Sequence, residues 1–392
     1  MNNTLTADLD SRRLKHLYRT RHVVESAQGA EIMLDGKRLL CFCSNDYLGL
    51  ANHPLVVEAL QKAAAEYGVG TGAAHLVCGH QAPHHALEEE LAAFMERPRA
   101  LLFSTGYMAN LGVIGALAEL GDVVHQDRFN HASLLDAAVL SRARLKRYPH
   151  ADLVTLKQNL AADEGKDHTT LIASDGVFSL DGDLAPIAEL ADLAEHYSSW
   201  LIIDDAHGLG VLGESGRGVL DHFGLLGTPD VHALVGTLGK AFGCFGAFVA
   251  GSNELIETLI QQARSYIYTT ALPPAVACAA RASLRLVQED GWRREHLYKM
   301  IAYFRAGAAQ LNLPLLPSTT PIQPLLIGDS KAAMDWSEAL LARGILVTAI
   351  RPPSVPQGES RLRITLSAAH SEAQIDRLLE VLGDVARQQP RQ

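Results

Sequence analysis

The sequence predicts an α/β fold, a mostly parallel sheet covered by helices on both faces, with a smaller α+β domain after it. Three observations carry this. Between about residues 54 and 283, short apolar runs alternate with segments of helical spacing. The runs at 170–174, 200–203, 233–237 and 247–250 are apolar without interruption, as strands buried on both faces require. From about residue 284 the pattern changes to a long polar helix followed by strands with helices between them.

Taken in order, residues 1–50 form an arm. The stretch to about Gly29 reads as an amphipathic helix with Leu5, Leu9, Leu14 and Leu17 on one side. Strands around 31–34 and 39–42 follow, joined by a turn at Asp35-Gly36 and expected to lie on the surface of the main domain. Residues 51–283 make the large domain. Helices are predicted at 54–66 and 83–95, then a strand at 100–104 that leads through Gly106 into a helix at about 107–120. Residues 284–392 make the small domain. It is predicted to hold a helix at 284–311, strands at 324–327, 345–349 and 361–365, and helices at 331–343 and 371–385. The tail 388–392 is expected to fray.

Composition narrows the functional classes. The chain has 392 residues, 48% of them hydrophobic, which is too apolar for a disordered chain. It carries 34 Lys and Arg against 44 Asp and Glu, a formal charge of −10. Nucleic acid is therefore not expected as a partner, because a phosphate backbone needs clustered cations. The only basic run is Arg12, Arg13, Lys15, Arg19 and Arg21. No apolar run reaches the roughly 18 residues of a membrane span. Asp8, Asp10, Arg12 and Arg13 stand where a signal peptide would be apolar, so a cytoplasmic protein is expected. Cys41, Cys43, Cys78, Cys244 and Cys278 form no CxxC pair and read as small buried hydrophobes in a reducing compartment. His80 and His84 have a metal-like spacing beside His85, but no carboxylate completes the set in this reading. A solvated helix start is preferred, and no metal is expected.

Three loops, each directly after an apolar strand, carry the chemistry. In parallel sheets the ligand site lies where the strands' carboxyl ends meet loops. The first loop is Asp204-Asp205-Ala206-His207-Gly208, where a carboxylate at the end of a buried strand needs a polar partner. The second is Gly236-Thr237-Leu238-Gly239-Lys240-Ala241-Phe242-Gly243, which lacks the spacing of a nucleotide P-loop. Partial burial of Lys240 would favour its neutral, nucleophilic amine, as Schiff-base chemistry needs. The third is Ser104-Thr105-Gly106-Tyr107-Met108-Ala109-Asn110, whose amides at a helix start can hold a phosphate. Together these are the parts of a pyridoxal-phosphate site: a lysine, an aspartate for the pyridine nitrogen, and a phosphate cradle.

The chain resembles the α-oxoamine synthases, fold type I pyridoxal-phosphate transferases, over nearly its whole length. The stretches that carry the resemblance are 44–50, Asn130-His131-Ala132-Ser133, 176–183, Asp204-Asp205-Ala206-His207-Gly208 and Thr237-Leu238-Gly239-Lys240. Within that family, Ile350-Arg351-Pro352-Pro353 is similar to the branch that joins L-alanine to a pimeloyl thioester for biotin synthesis. A glycine C-acetyltransferase is the nearest alternative. The sequence departs from the family at Ser354 in place of a threonine, at Ala73-Ala74-His75, and at Tyr107 in place of a phenylalanine.

The resemblance implies roles. Lys240 is the lysine that carries pyridoxal 5'-phosphate and moves the α-proton. Asp204 pairs with the pyridine nitrogen, and His207 and Ser179 hold the ring. His131 stacks on the ring and orients the acyl carbonyl. Gly106, Tyr107 and Thr237 bind the phosphate, and Thr270 reaches the phosphate of a neighbouring subunit. Arg363, Arg351 and Asn45 are candidates for the amino-acid carboxylate, and Ser354 lies beside them in the Arg351 motif. Arg19 is the candidate for the acyl substrate. A homodimer is implied, with either coenzyme A or an acyl carrier protein bearing the pimeloyl group.

Overall fold

The computed structural model describes residues 2–388, so most of the tail expected to fray lies outside the described residues. By contact the chain divides into two units. One comprises 50–179 and 184–291, and the other comprises 1–49, 180–183 and 292–392. The domain edges therefore differ from the sequence reading. The arm groups with the C-terminal residues, and the C-terminal portion begins at 292 instead of 284.

The first strands are β1 (Glu31–Leu34) and β2 (Lys37–Cys41), antiparallel with Leu34 opposite Lys37. Asp35 and Gly36 both have positive φ, as a two-residue hairpin turn requires. The preceding helix spans Asn2–Leu14, well short of Gly29. His16 takes the left-handed conformation two residues later, which a helix cannot accommodate. Leu5, Leu9 and Leu14 are exposed.

The larger unit holds β3 (Arg99–Phe103), β4 (Val123–Asp127), β5 (Arg144–Tyr148), β6 (Thr170–Asp175), β7 (Trp200–Asp204), β8 (Ala233–Thr237) and β9 (Ala247–Gly251). They form one sheet in the order β3-β9-β8-β7-β6-β4-β5. β9 pairs antiparallel with both β3 and β8, and the other neighbours run parallel. Leu101, Val124, Leu171, Ile202, Val235 and Val249 enter one core cluster. Their neighbours Leu102, Ile172, Leu201, Leu234 and Phe248, which point to the opposite face, are equally buried. Both faces of the sheet are covered, which explains the uninterrupted apolar runs.

β4 and β5 are absent from the sequence reading. β4 ends in His125, Gln126 and Asp127, all buried and each with a partner. His125 pairs with Asp163 at 3.1 Å, and Gln126 donates to the Leu134 carbonyl at 2.8 Å. β5 is a polar edge strand, Arg-Leu-Lys-Arg-Tyr, whose cations discourage further pairing.

The smaller unit adds β10 (Ile322–Gly328), β11 (Ile345–Leu346), β12 (Thr348–Ile350) and β13 (Ser360–Thr365). β11 joins β2 in parallel, so the arm is built into this unit's own sheet. β10, β13 and β12 form a second, antiparallel sheet. Residues 180–183 belong here because the Gly182 carbonyl accepts from Ser318 at 2.9 Å and Thr320 at 3.0 Å, while Asp181 pairs with Arg361. The helix predicted at 284–311 is two helices, Pro274–Glu289 and Gly291–Gln310, broken at Asp290.

His370 stacks on Phe42 with ring centroids 4.3 Å apart, and its Nε2 donates to the Cys41 carbonyl at 3.0 Å. Burial pulls its pKa down to about 4. An unfolded histidine titrates near 6.5, so the unfolded chain takes up this proton first. Acidification from pH 6.5 to 4 is therefore expected to remove about 3 kcal/mol of this unit's stability through His370. Urea unfolding across that range checks it, and the pH slope should flatten in His370→Gln.

Cys41 is buried, but Cys78 is exposed and the other three are half-buried, so the cysteines are not uniformly small core residues. Cys41 and Cys43 bring their sulfurs to 3.9 Å, and none of the five is in a disulfide. No helix among the described residues is long and apolar enough to cross a membrane.

Candidate active site

A cavity of about 180 Å³ opens at the carboxyl ends of β3, β4, β6, β7 and β8. Gly106, Tyr107, His131, Ser179, Asp204, His207, Thr237 and Lys240 all line it. Parallel strands end on the same edge of a sheet, so loops far apart in sequence converge there.

Asp204 is the last residue of β7. Its Oδ2 accepts from the Asn110 amide at 2.6 Å and its Oδ1 from the Ala206 backbone at 3.0 Å, which fixes the carboxylate's direction. Asn110 also donates to Ser133 Oγ at 2.8 Å. Asp175 ends β6 directly beside Asp204 in the sheet register and also lines the cavity. Burial, reinforced by Asp204, pushes the Asp175 carboxyl well above the ordinary range. Asp175 also accepts the His131 amide at 3.0 Å. The sequence reading missed both Asp175 and the role of Asn110. The available signal was that β6, like β7, is an apolar run closed by an aspartate.

The second aspartate of the pair does something else. Asp205 Oδ2 accepts the Val219 amide at 2.8 Å, and burial likewise pushes its carboxyl well above the usual range. A Cβ on Gly208 would sit 2.2 Å from Asp205 Oδ1, and one on Gly218 would sit 1.7 Å from Oδ2. Asp205 thus clamps the loop beyond the site, and both glycines are dictated by it.

His131 caps the helix Ala132–Leu140. Its Nδ1 lies 2.7 Å from Ser133 Oγ, and its ring meets Tyr107 edge-on at 6.4 Å. Tyr107 donates to Asp136. Gly106 and Tyr107 open the helix Gly106–Leu117, where the first amides have no acceptor within the helix. Thr105 caps it by accepting the Met108 amide at 3.2 Å. Thr237 donates to the Gly246 carbonyl at 3.2 Å and accepts the Gly239 amide at 3.3 Å. Lys240 follows on that turn, half-buried.

The remaining predicted residues fall elsewhere. In the smaller unit, both terminal nitrogens of Arg363 donate to Asn45 Oδ1 at 3.2 Å, and one reaches the buried Tyr47 hydroxyl at 3.5 Å. Tyr47 donates to the same Asn45 oxygen at 3.1 Å. Arg19, Arg351 and Ser354 line another cavity of that unit, of about 580 Å³. Arg351 donates to the His16 carbonyl, and burial, with Arg19 nearby, lowers its pKa. Thr270 is exposed, bridges to Ala74 by backbone, and does not line the cavity at Lys240.

Residues 37–382 match the family model for Aminotransferase class I and II. The 8-amino-7-oxononanoate synthase of Nitrosococcus oceani is 62% identical over 378 residues, which cover 96% of this chain and 100% of that protein. A serine palmitoyltransferase from S. paucimobilis, solved with PLP and myriocin, superposes with a TM-score of 0.92 at 30% identity, over 98% of this chain and 97% of that one. The 8-amino-7-oxononanoate synthase of Francisella tularensis gives 0.77 at 31% identity, over 89% and 98%. The chain belongs to the class I and II aminotransferase family and, within it, to the 8-amino-7-oxononanoate synthases.

Proposed function

We propose that this chain condenses L-alanine with a pimeloyl thioester, releasing a thiol and carbon dioxide and leaving 8-amino-7-oxononanoate for biotin synthesis, with pyridoxal 5'-phosphate as cofactor. One observation carries the reading: Lys240, Asp204, His207, His131 and the start of the helix Gly106–Leu117 converge on one cavity. Their chemistry suits the cofactor. The lining combines an amine, an oriented carboxylate, imidazoles and hydroxyls. A Cβ built on Gly106 would meet nothing within 4 Å, so a phosphate can come close to that backbone.

Bound there, pyridoxal phosphate supplies a protonated pyridine ring that accepts the electron pair left at the amino acid's α-carbon. Asp204 would hold the pyridine proton, with Asn110 and the Ala206 amide keeping the carboxylate aimed. Lys240 would carry the cofactor and, once displaced by alanine, take the α-proton at Nζ. His207 and Ser179 would hold the ring's phenolic oxygen, and His131 would flank the ring and orient the acyl carbonyl. Gly106, Tyr107 and Thr237 would hold the phosphate, with Thr237 turning its hydroxyl from the Gly246 carbonyl.

Arg363 would pair with the alanine carboxylate, since Asn45 and Tyr47 already hold the guanidinium in one orientation. Arg351, Arg19 and Ser354 would serve the acyl donor, either pimeloyl-CoA or a pimeloyl carrier protein. The protein would act as a homodimer, and the exposed Thr270 would reach the partner's cofactor phosphate. Five cysteines without a disulfide suit the reducing cytoplasm.

Thiol release by the cofactor-loaded protein tests the reading. L-alanine with pimeloyl-CoA is expected to release thiol faster than glycine with acetyl-CoA. The reverse order would move the activity to a glycine C-acetyltransferase while leaving the roles of Lys240 and Asp204 intact.

A further inference from the structure

A group of histidines at the start of the helix Ala82–Phe94 takes no part in the cavity at Lys240. The sequence pairs His80 with His84, and in the structure their ring centroids lie 5.9 Å apart, but only His80 is available to a ligand. His84 is buried, with Nδ1 accepting the Gln81 amide at 3.0 Å and Nε2 donating to the Leu272 carbonyl at 2.7 Å. Both of its nitrogens are engaged, so it offers nothing to an ion.

His85 and Glu88 take its place. They are three residues apart on one helix and so share a face. One ligand atom from each of His80, His85 and Glu88 lies within 4.8 Å of the other two. Ligands around a tetrahedral ion with bonds of about 2.1 Å sit roughly 3.4 Å apart. Side-chain shifts of about 1 Å therefore close the set. The carboxylate absent from the sequence reading is Glu88, which helix geometry brings beside a histidine of the preceding loop.

The surroundings already orient these groups. The Glu88 side chain is only 13% exposed. Its Oε1 accepts the Leu102 amide at 2.9 Å, and its Oε2 faces His80 Nε2 at 3.9 Å. The other nitrogen of His80 lies 3.0 Å from His75 Nδ1, so the ring is held from behind, as metal-binding imidazoles usually are. His85 is open to solvent, with Glu89 3.4 Å from its Nε2 adding a second negative charge. Arg99, the cation on this wall, is paired with Glu257 at 3.3 Å. These residues border an open cavity of about 420 Å³, which gives an ion a way in.

We propose that His80, His85 and Glu88 form a binding site for one divalent transition-metal ion, apart from the catalytic cavity. Two imidazoles and one carboxylate select zinc, cobalt or nickel over magnesium or calcium, which prefer oxygen ligands alone. The ion would pin the loop at His80 to the helix that begins two residues later, and so brace the short helical turn His75–Gly79 that precedes it.

Equilibrium dialysis of the untagged, chelator-treated holoenzyme against zinc, read by metal analysis, tests this. One zinc per chain is expected at micromolar free metal. His85→Ala and Glu88→Gln should each weaken it by about ten-fold or more and leave thiol release unchanged. Glu88→Gln retains a side-chain oxygen for the Leu102 amide, and His85 is exposed, so His85→Ala decides the matter should Glu88→Gln fold poorly. Absence of saturable zinc would overturn the proposal. So would zinc binding that both variants leave intact, which would place the metal elsewhere, for example at Cys41 and Cys43.

Discussion

Lys240→Ala is expected to lower thiol release by about 10⁴-fold or more, because in the proposed reaction it removes both the covalent hold on the cofactor and the base for the α-proton. Among the described residues no other amine lines the cavity, so no neighbour can take over. Cofactor binding should weaken without vanishing, since the amides of Gly106 and Tyr107, Asp204 and His207 remain in place. Borohydride provides the matching physical readout. It should bleach the yellow colour of the wild type while leaving the cofactor covalently attached, whereas dialysis should strip the cofactor from the variant. A variant with near wild-type turnover would sink the assignment of Lys240.

Asp204→Asn should cost about 10²–10³-fold in turnover, the usual penalty for losing one oriented charge in a water-poor site. The substitution is nearly isosteric and retains an oxygen for the Asn110 amide, so melting temperature should change little. What is lost is the ability to keep the pyridine nitrogen protonated. Asp175, one strand away, is a poor substitute, because burial pushes its carboxyl well above the ordinary range. Turnover close to wild type would mean that another group sets the ring's protonation.

Much of this site was legible because its chemistry sits at the ends of uninterrupted apolar runs. β6 to β9 announce themselves by burial on both faces, and Asp204, Thr237 and Lys240 follow directly. β4 stayed hidden because His125, Gln126 and Asp127 are buried and held by tertiary partners, which no periodicity rule anticipates. β5 stayed hidden because an edge strand is half solvent-facing. Asp175 and Asn110 matter through register and a side-chain hydrogen bond, which are tertiary facts. Likewise, Arg363 is distinguished from Arg351 by Asn45 and Tyr47, more than 300 positions away in the chain. Leucine spacing predicts too long an N-terminal helix because it says nothing of the left-handed residue that stops it.

The place of β9 in the sheet has a consequence for biogenesis. β3 is the first of the seven strands to leave the ribosome, yet its neighbour in the sheet is β9, the last. The loop bearing Gly106 hangs on β3, so it waits for the whole sheet to be translated, a delay of roughly ten seconds or more. On the proposed roles, a nascent chain would therefore have no finished phosphate cradle until after Lys240 has emerged. On the same roles, cofactor capture would be a late event in the life of this polypeptide, and a ribosome stalled before β9 is expected to leave a chain that cannot take the cofactor up.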